Sequence, residues 1–159
     1  MGATDLQPLS PLEEAAWRAL ARALIVLPRA LDADLVHAQR MTINEYGVLT
    51  NLSEAPGRRL RMSELASGRN LTPAGMTRLV DRLVAEGLVE RTKCAEDGRV
   101  SFAVLTDAGF QRLEEAYPSH LASVRARVME HVGPDEMAVL HRIMFKITQA
   151  AEGCPAKDS

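Results

Sequence analysis

The chain has 159 residues, 47% of them apolar and 25% charged, enough for one domain or two small lobes around a real core and not the composition of a disordered or collagen-like chain. Aromatic residues, at 4%, are too few to favour a β-sandwich or a platform for stacking bases. No apolar run approaches the about 18 residues of a membrane span. Residues 1–11 lack the basic start and apolar stretch of a signal peptide, and Cys94 and Cys154 make no disulfide framework, so a cytoplasmic location is expected.

The formal net charge of -2 hides an uneven distribution. Residues 1–57 carry 4 basic and 7 acidic side chains, residues 58–99 carry 9 and 6, and residues 100–159 carry 6 and 8. A basic middle lies between acidic ends, and the local field decides where a polyanion docks.

The first helix opens on Ser10-Pro11-Leu12-Glu13, a capping box with proline at the first helical position. Leu12, Ala16, Leu20, Leu24, Leu27, Leu31 and Leu35 follow at helical spacing, and Pro28 predicts a kink or break. Thr42-Ile43-Asn44-Glu45 opens a second helix to about Ser53, closed by Ala55-Pro56-Gly57. Ser63 is expected to cap a short third helix ending at Ser67, with Gly68-Arg69-Asn70 as the turn. Thr72-Pro73 starts a fourth helix, which runs to Glu86 and stops at a left-handed Gly87. Residues 88–92 and 100–105 read as the strands of a hairpin around Glu96-Asp97-Gly98. Thr106 caps a long helix to about His131, bent at Pro118, and Gly133-Pro134 separates it from a last helix over residues 135–151.

A helix–turn–helix followed at once by a hairpin predicts a mainly α winged helix-turn-helix: a three-helix core plus a β-hairpin wing. Residues 41–106 form this lobe, residues 1–40 and 107–151 supply N- and C-terminal dimerisation helices, and residues 152–159 are a flexible tail.

The fourth helix carries the chemistry. At 100° per residue, Met76, Leu79, Val80, Leu83 and Val84 share one face. The opposite face centres on Ala74, Arg78, Asp81 and Ala85, flanked by Thr77 and Arg82. Ala74 and Gly75 let a surface approach the backbone, while Thr72, Thr77 and Arg78 offer hydrogen bonds to base edges or phosphates. Leu65, Ala66, Leu71, Met76 and Leu79 fall where such a motif needs inward residues. At the hairpin tip, Arg99 can enter a minor groove, with Asp97 holding its guanidinium.

Catalysis finds no support. There is no glycine-rich phosphate loop, nucleophile elbow or His-Glu helix motif. His37 and His141 stand alone, and His120 and His131 would lie about 16 Å apart on one helix. Neither a metal nor a cofactor is expected.

Residues 60–113 resemble the winged-helix core of the MarR family of bacterial transcription regulators. The resemblance rests on Met62-Ser63-Glu64-Leu65-Ala66, Thr77-Arg78-Leu79-Val80-Asp81-Arg82-Leu83 and Gly87-Leu88-Val89-Glu90-Arg91, then on Asp97-x-Arg99 and Leu105-Thr106-x-x-Gly109. It implies a homodimer that sets two lobes on successive major grooves of a pseudo-palindromic double-stranded operator. DNA contacts would come from Ser63, Thr72, Ala74, Gly75, Thr77, Arg78 and Arg82, with Asp97 and Arg99 at the wing. Gly98 departs from the family pattern, which commonly has a second arginine there. The resemblance also implies a repressor released by a small anionic aromatic effector bound between the dimer helices and the lobe. Trp17, Arg18, Arg22 and Tyr46 are the candidate lining, unless Trp17 and Tyr46 are simply core. Two alternatives stand beside this reading. One is a thiol switch at Cys94, whose neighbours Arg91, Lys93 and Arg99 would lower its pKa; the other is a winged-helix protein-interaction module that never touches DNA.

Arg99→Ala is expected to weaken binding to all duplexes and to make the salt dependence shallower by roughly one unit, with Asp97→Ala giving part of the same loss. Binding isotherms at several salt concentrations check this, and full affinity in Arg99→Ala would remove the wing from the interface.

Overall fold

The computed structural model describes residues 7–67, 71–93 and 100–153, which form two compact units, one ending at Leu121 and the other beginning at Ala122.

In the first unit, α1 spans Pro11–Gln39. The Ser10 side chain accepts from the Glu13 amide, and the Glu13 carboxylate accepts from the Ser10 amide at 2.8 Å. The helix is continuous through Pro28, where a kink or break was expected. The carbonyl orphaned by this proline belongs to Leu24, which is exposed, so water can satisfy it. α2, Ile43–Glu54, is capped by Thr42 and buries Tyr46, Val48, Leu49 and Leu52. The end of α1 is fastened to it: Leu35 is 1% exposed, and the Asp32 carboxylate accepts the Ile43 amide at 2.8 Å.

After a 3₁₀ turn over Pro56–Arg58, in which Gly57 takes φ 63°, Arg59–Arg61 forms a strand, β1, that the sequence reading did not foresee. The sheet is therefore three-stranded, in the order β1-β3-β2 and antiparallel throughout, with β2 at Val89–Lys93 and β3 at Ser101–Leu105. Leu60 pairs with Ala103, and Arg59 and Arg61 flank it on the other face. Three residues are too few to show an alternation, and their partner lies some forty residues on, so no local pattern announces β1.

α3, Met62–Ser67, starts one residue earlier than expected. Ser63 therefore lies inside the helix instead of capping it, and the Glu64 carboxylate takes the Arg61 amide at 2.7 Å. α4, Pro73–Ala85, is capped as expected by Thr72, whose hydroxyl accepts the Gly75 amide at 3.1 Å. Met76, Leu79, Val80 and Leu83 are buried, but Val84, expected among them, is 36% exposed because it sits at the edge of the stripe. Gly87 has φ 73° and ends the element as predicted.

α5, Asp107–Arg127, stops short of His131 and gives way to a 3₁₀ turn over Met129–His131. Thr106 caps it, accepting the Gly109 amide at 2.9 Å while donating to the Gly87 carbonyl at 2.8 Å. The Arg112 guanidinium bonds the Gln39 carbonyl and, at 3.1 Å, its side-chain oxygen, and Gln39 donates to Ser119. The end of α1 and the first part of α5 thus belong to the same compact unit as the winged-helix lobe.

In the second unit, α6 spans Pro134–Glu152 and has no buried residue. Val139, Ile143, Phe145 and Ile147 are exposed on it. α1 is similar: of its leucine run only Leu35 is buried, and Leu12, Trp17, Leu24, Ile25 and Val26 lie open.

One close approach tests the packing. A Cβ added to Gly109 would lie 2.0 Å from the Leu88 carbonyl oxygen and 2.7 Å from Leu105 Cδ1. Glycine-to-alanine changes in open helices stabilise by up to about 1 kcal/mol. Here the sign reverses, and Gly109→Ala is expected to destabilise by about 3 kcal/mol, measured as a lowered urea midpoint.

Candidate nucleic-acid interface

Burying one side of α4 sends the other outward. Thr72, Ala74, Thr77, Arg78 and Arg82 are exposed, as is Ser63 on α3, and Gly75 is partly so. Two ion pairs set the electrostatics of this face. Arg82 Nη2 lies 3.2 Å from Glu45 Oε1, and that carboxylate, 13% exposed, also closes the Thr42 capping box. Arg82 is therefore tied to α2. Asp81, an anion where phosphates would come, is held at 3.0 Å by Arg91 of β2, which also donates to the Thr77 carbonyl at 3.3 Å. Arg78 makes no ion pair among the described residues, so its charge faces outward unengaged beside the helix N-terminus.

Ser63 and Thr77 line one cavity with Met62, Ala66 and Pro73, about 460 Å³ between α3 and α4. Gly75, Arg78 and Arg82 line a second of about 490 Å³. The expected helix–turn–helix residues are thus divided between two neighbouring linings, Ser63 and Thr77 on one and Gly75, Arg78 and Arg82 on the other, while Thr72 and Ala74 line neither. Two further arginines lie on the strand that precedes α3 and were not among the expected contacts. Arg59 and Arg61 emerge on the same face of β1 at the entrance to α3, Arg59 with its guanidinium 3.8 Å from the centre of the Phe102 ring. The run Arg58-Arg59-Leu60-Arg61 was the available signal, but only strand pairing separates its members. Arg58 instead bonds Asp107 at 3.0 Å and stacks on Phe110. Asp97, Arg99 and Cys94 lie outside the described residues.

The four candidate ligand residues are not brought together within the chain. Tyr46 is 8% exposed and packs its ring on His120 at 4.4 Å. It lines a cleft of about 420 Å³ between α2 and α5, whose other walls include Thr50, Glu54, Leu113, Glu114 and Tyr117. Trp17 is 58% exposed, Arg18 pairs with Glu14 at 2.5 Å, and Arg22 is exposed. Arg22 precedes Asp32, where α1 meets α2, by roughly 15 Å of helix.

A sequence model of the MarR family matches residues 41–100. The repressor MdtR of Bacillus subtilis (strain 168) is 34% identical over 127 residues, 80% of this chain and 79% of that one. The repressor YetL of the same organism is 37% identical over 92 residues, 58% of this chain but only about half, 54%, of its own length. Among solved structures, Sco3205 of Streptomyces coelicolor, a MarR family regulator crystallised with DNA, is 33% identical, covers 97% of both chains and superposes with a TM-score of 0.86. The chain belongs to the MarR family of transcriptional regulators.

This MarR protein has a mainly α winged-helix fold, and its relatives are named as regulators rather than enzymes. Beside the cleft, His120 Nδ1 is buried without a hydrogen-bond partner among the described residues, and burial pushes its pKa below the ordinary 6.5. The unfolded chain therefore takes up a proton that the fold refuses. The associated stability is fully present above 6.5 and is lost as pH falls toward the lowered native value. His120→Phe keeps a ring against Tyr46 and removes the titration. Between about pH 7.5 and about pH 5.5 the variant is expected to gain stability relative to the natural protein in urea unfolding. A constant difference would mean that the native imidazole is solvated.

Proposed function

We propose that this MarR-family regulator is a homodimer that binds a pseudo-palindromic double-stranded operator and represses transcription until a small molecule binds the cleft beside Tyr46. The observation that carries the reading is the exposed face of α4: a capped N-terminus, small residues near it, and an outward Arg78 with no ion pair among the described residues. Sco3205, of similar fold over nearly its whole length, was crystallised with DNA, and MdtR and YetL are named repressors; both support the assignment. The apolar side chains left open on α1 and α6 support a dimer, since a second copy gives each a partner of the same kind. In such a dimer the two recognition helices must span half-sites roughly 34 Å apart. A ligand alters that spacing only through its difference in affinity for the two settings of the lobes. Arg18 and Arg22, expected to hold an anionic effector, are not among the residues of their own chain that line this cleft.

Selection of bound fragments from genomic DNA, with a sizing measurement, tests the reading. Enrichment of duplexes with paired half-sites by a dimer is expected. Enrichment of none at moderate salt would leave a protein-interaction module as the function. Arg78→Ala is expected to cost about 1–3 kcal/mol at the selected site and to relax its sequence preference, leaving the dimer intact.

A further inference from the structure

We propose that the cleft between α2 and α5 takes an organic cation with an aromatic or apolar body, and that this is the effector that acts on DNA binding. The second half rests on the regulator reading; the first half does not.

Three sources of negative potential converge there. Glu54 and Glu114 line the cleft, and neither makes an ion pair among the described residues. The third is the C-terminal end of α2, whose last turn includes Ser53 and Glu54 and has no basic residue to offset its carbonyls. Among the described residues, no lysine or arginine lines the cleft. The arginines of the flanking segments are engaged elsewhere, Arg58 by Asp107 and Arg112 by Gln39. An anion would meet repulsion from the two exposed carboxylates, with no cation among the described lining residues to pair it, whereas a cation gains Coulomb attraction that is strongest at low salt.

The remaining walls select for an organic rather than an inorganic cation. Tyr117, 53% exposed, presents a ring to the opening, and Leu113 and the Tyr46 ring supply apolar wall. The volume of about 420 Å³ suits a ligand of one or two rings. The described residues hold no group of three His, Cys, Asp or Glu side chains suited to a metal ion. Burial, with smaller contributions from Tyr117 and Glu54 and against the bond from Thr50, raises the Tyr46 hydroxyl pKa, so this wall of the cleft stays neutral. α2 also carries Glu45, the partner of Arg82, so one helix joins the cleft to the DNA-facing surface.

Calorimetric titration of the full chain with benzyltrimethylammonium, benzyl alcohol and benzoate, at low salt, tests the class. The cation is expected to bind best and benzoate not at all. The Glu54→Gln, Glu114→Gln double variant is expected to bind the cation roughly tenfold more weakly, and Tyr117→Ala also more weakly. Benzoate binding as tightly as the cation, unchanged cation affinity in the double variant, or no binding of any probe at millimolar concentration would each overturn the proposal. Anisotropy of a labelled operator then tests the consequence: release by the cation supports the effector role, and binding without any change in operator affinity overturns it. If the protein bound no duplex at all, the regulator reading would fail, while the calorimetry would still decide the chemistry of the cleft.

Discussion

The burial of a single face of α4 is the constraint from which the lobe follows. Met76, Leu79, Val80 and Leu83 enter one core with Leu65 of α3, Val48, Leu49 and Leu52 of α2, and Val89 and Leu105 of the sheet. Each such side chain contributes about 1.5–3 kcal/mol at most when taken fully out of water. A helix with one buried stripe has its opposite side determined, so fixing the core also fixes which residues can meet a ligand. The close contact of Gly109 with Leu88 belongs to the same packing, because it seats α5 against the turn that ends α4.

The polar ties around α4 act differently. The Arg82–Glu45 and Arg91–Asp81 pairs are partly exposed, and pairs of that kind stabilise by about 0–1 kcal/mol. Their effect is geometric: they register the helix against α2 on one side and β2 on the other. They also divide the charges on its surface. Arg82 and Asp81 are spoken for within the chain, leaving Arg78 as the free cation of the helix among the described residues. α2 serves three elements at once, presenting Glu45 to α4, its apolar side chains to the core and its C-terminal end to the cleft.

The elements of the chain differ in how fully they are buried. The lobe has a closed core, whereas α6 buries nothing and α1 buries only Leu35. Their exposed apolar side chains are the surface on which the proposed dimer would close. The cleft between α2 and α5, in contrast, is open but not merely apolar. Its carboxylates and rings are the combination that an uncharged or anionic ligand has least use for.

What the residues determined by themselves was whatever depends on near neighbours. Ser10, Thr42, Thr72 and Thr106 each cap a helix where a cap was expected, since a side chain needs to reach only the amide about three residues on. Gly87 stops α4 because its own φ allows the turn. The inward and outward faces of α4 were legible from spacing alone, and with them Thr72, Thr77 and Arg78; the family resemblance came from the same short motifs. Tertiary structure decided what depends on distant partners. β1 exists because β3 pairs with it, Ser63 lost its capping role because that strand runs directly into α3, and Val84 is 36% exposed at the edge of the buried stripe. Tyr46 was separated from Trp17, Arg18 and Arg22 by the length of an unbroken helix and joined to Glu54, Glu114 and Tyr117 by the docking of α5. Charge in a cleft is a sum over segments far apart in the chain, and only the packing that brings them together fixes its sign.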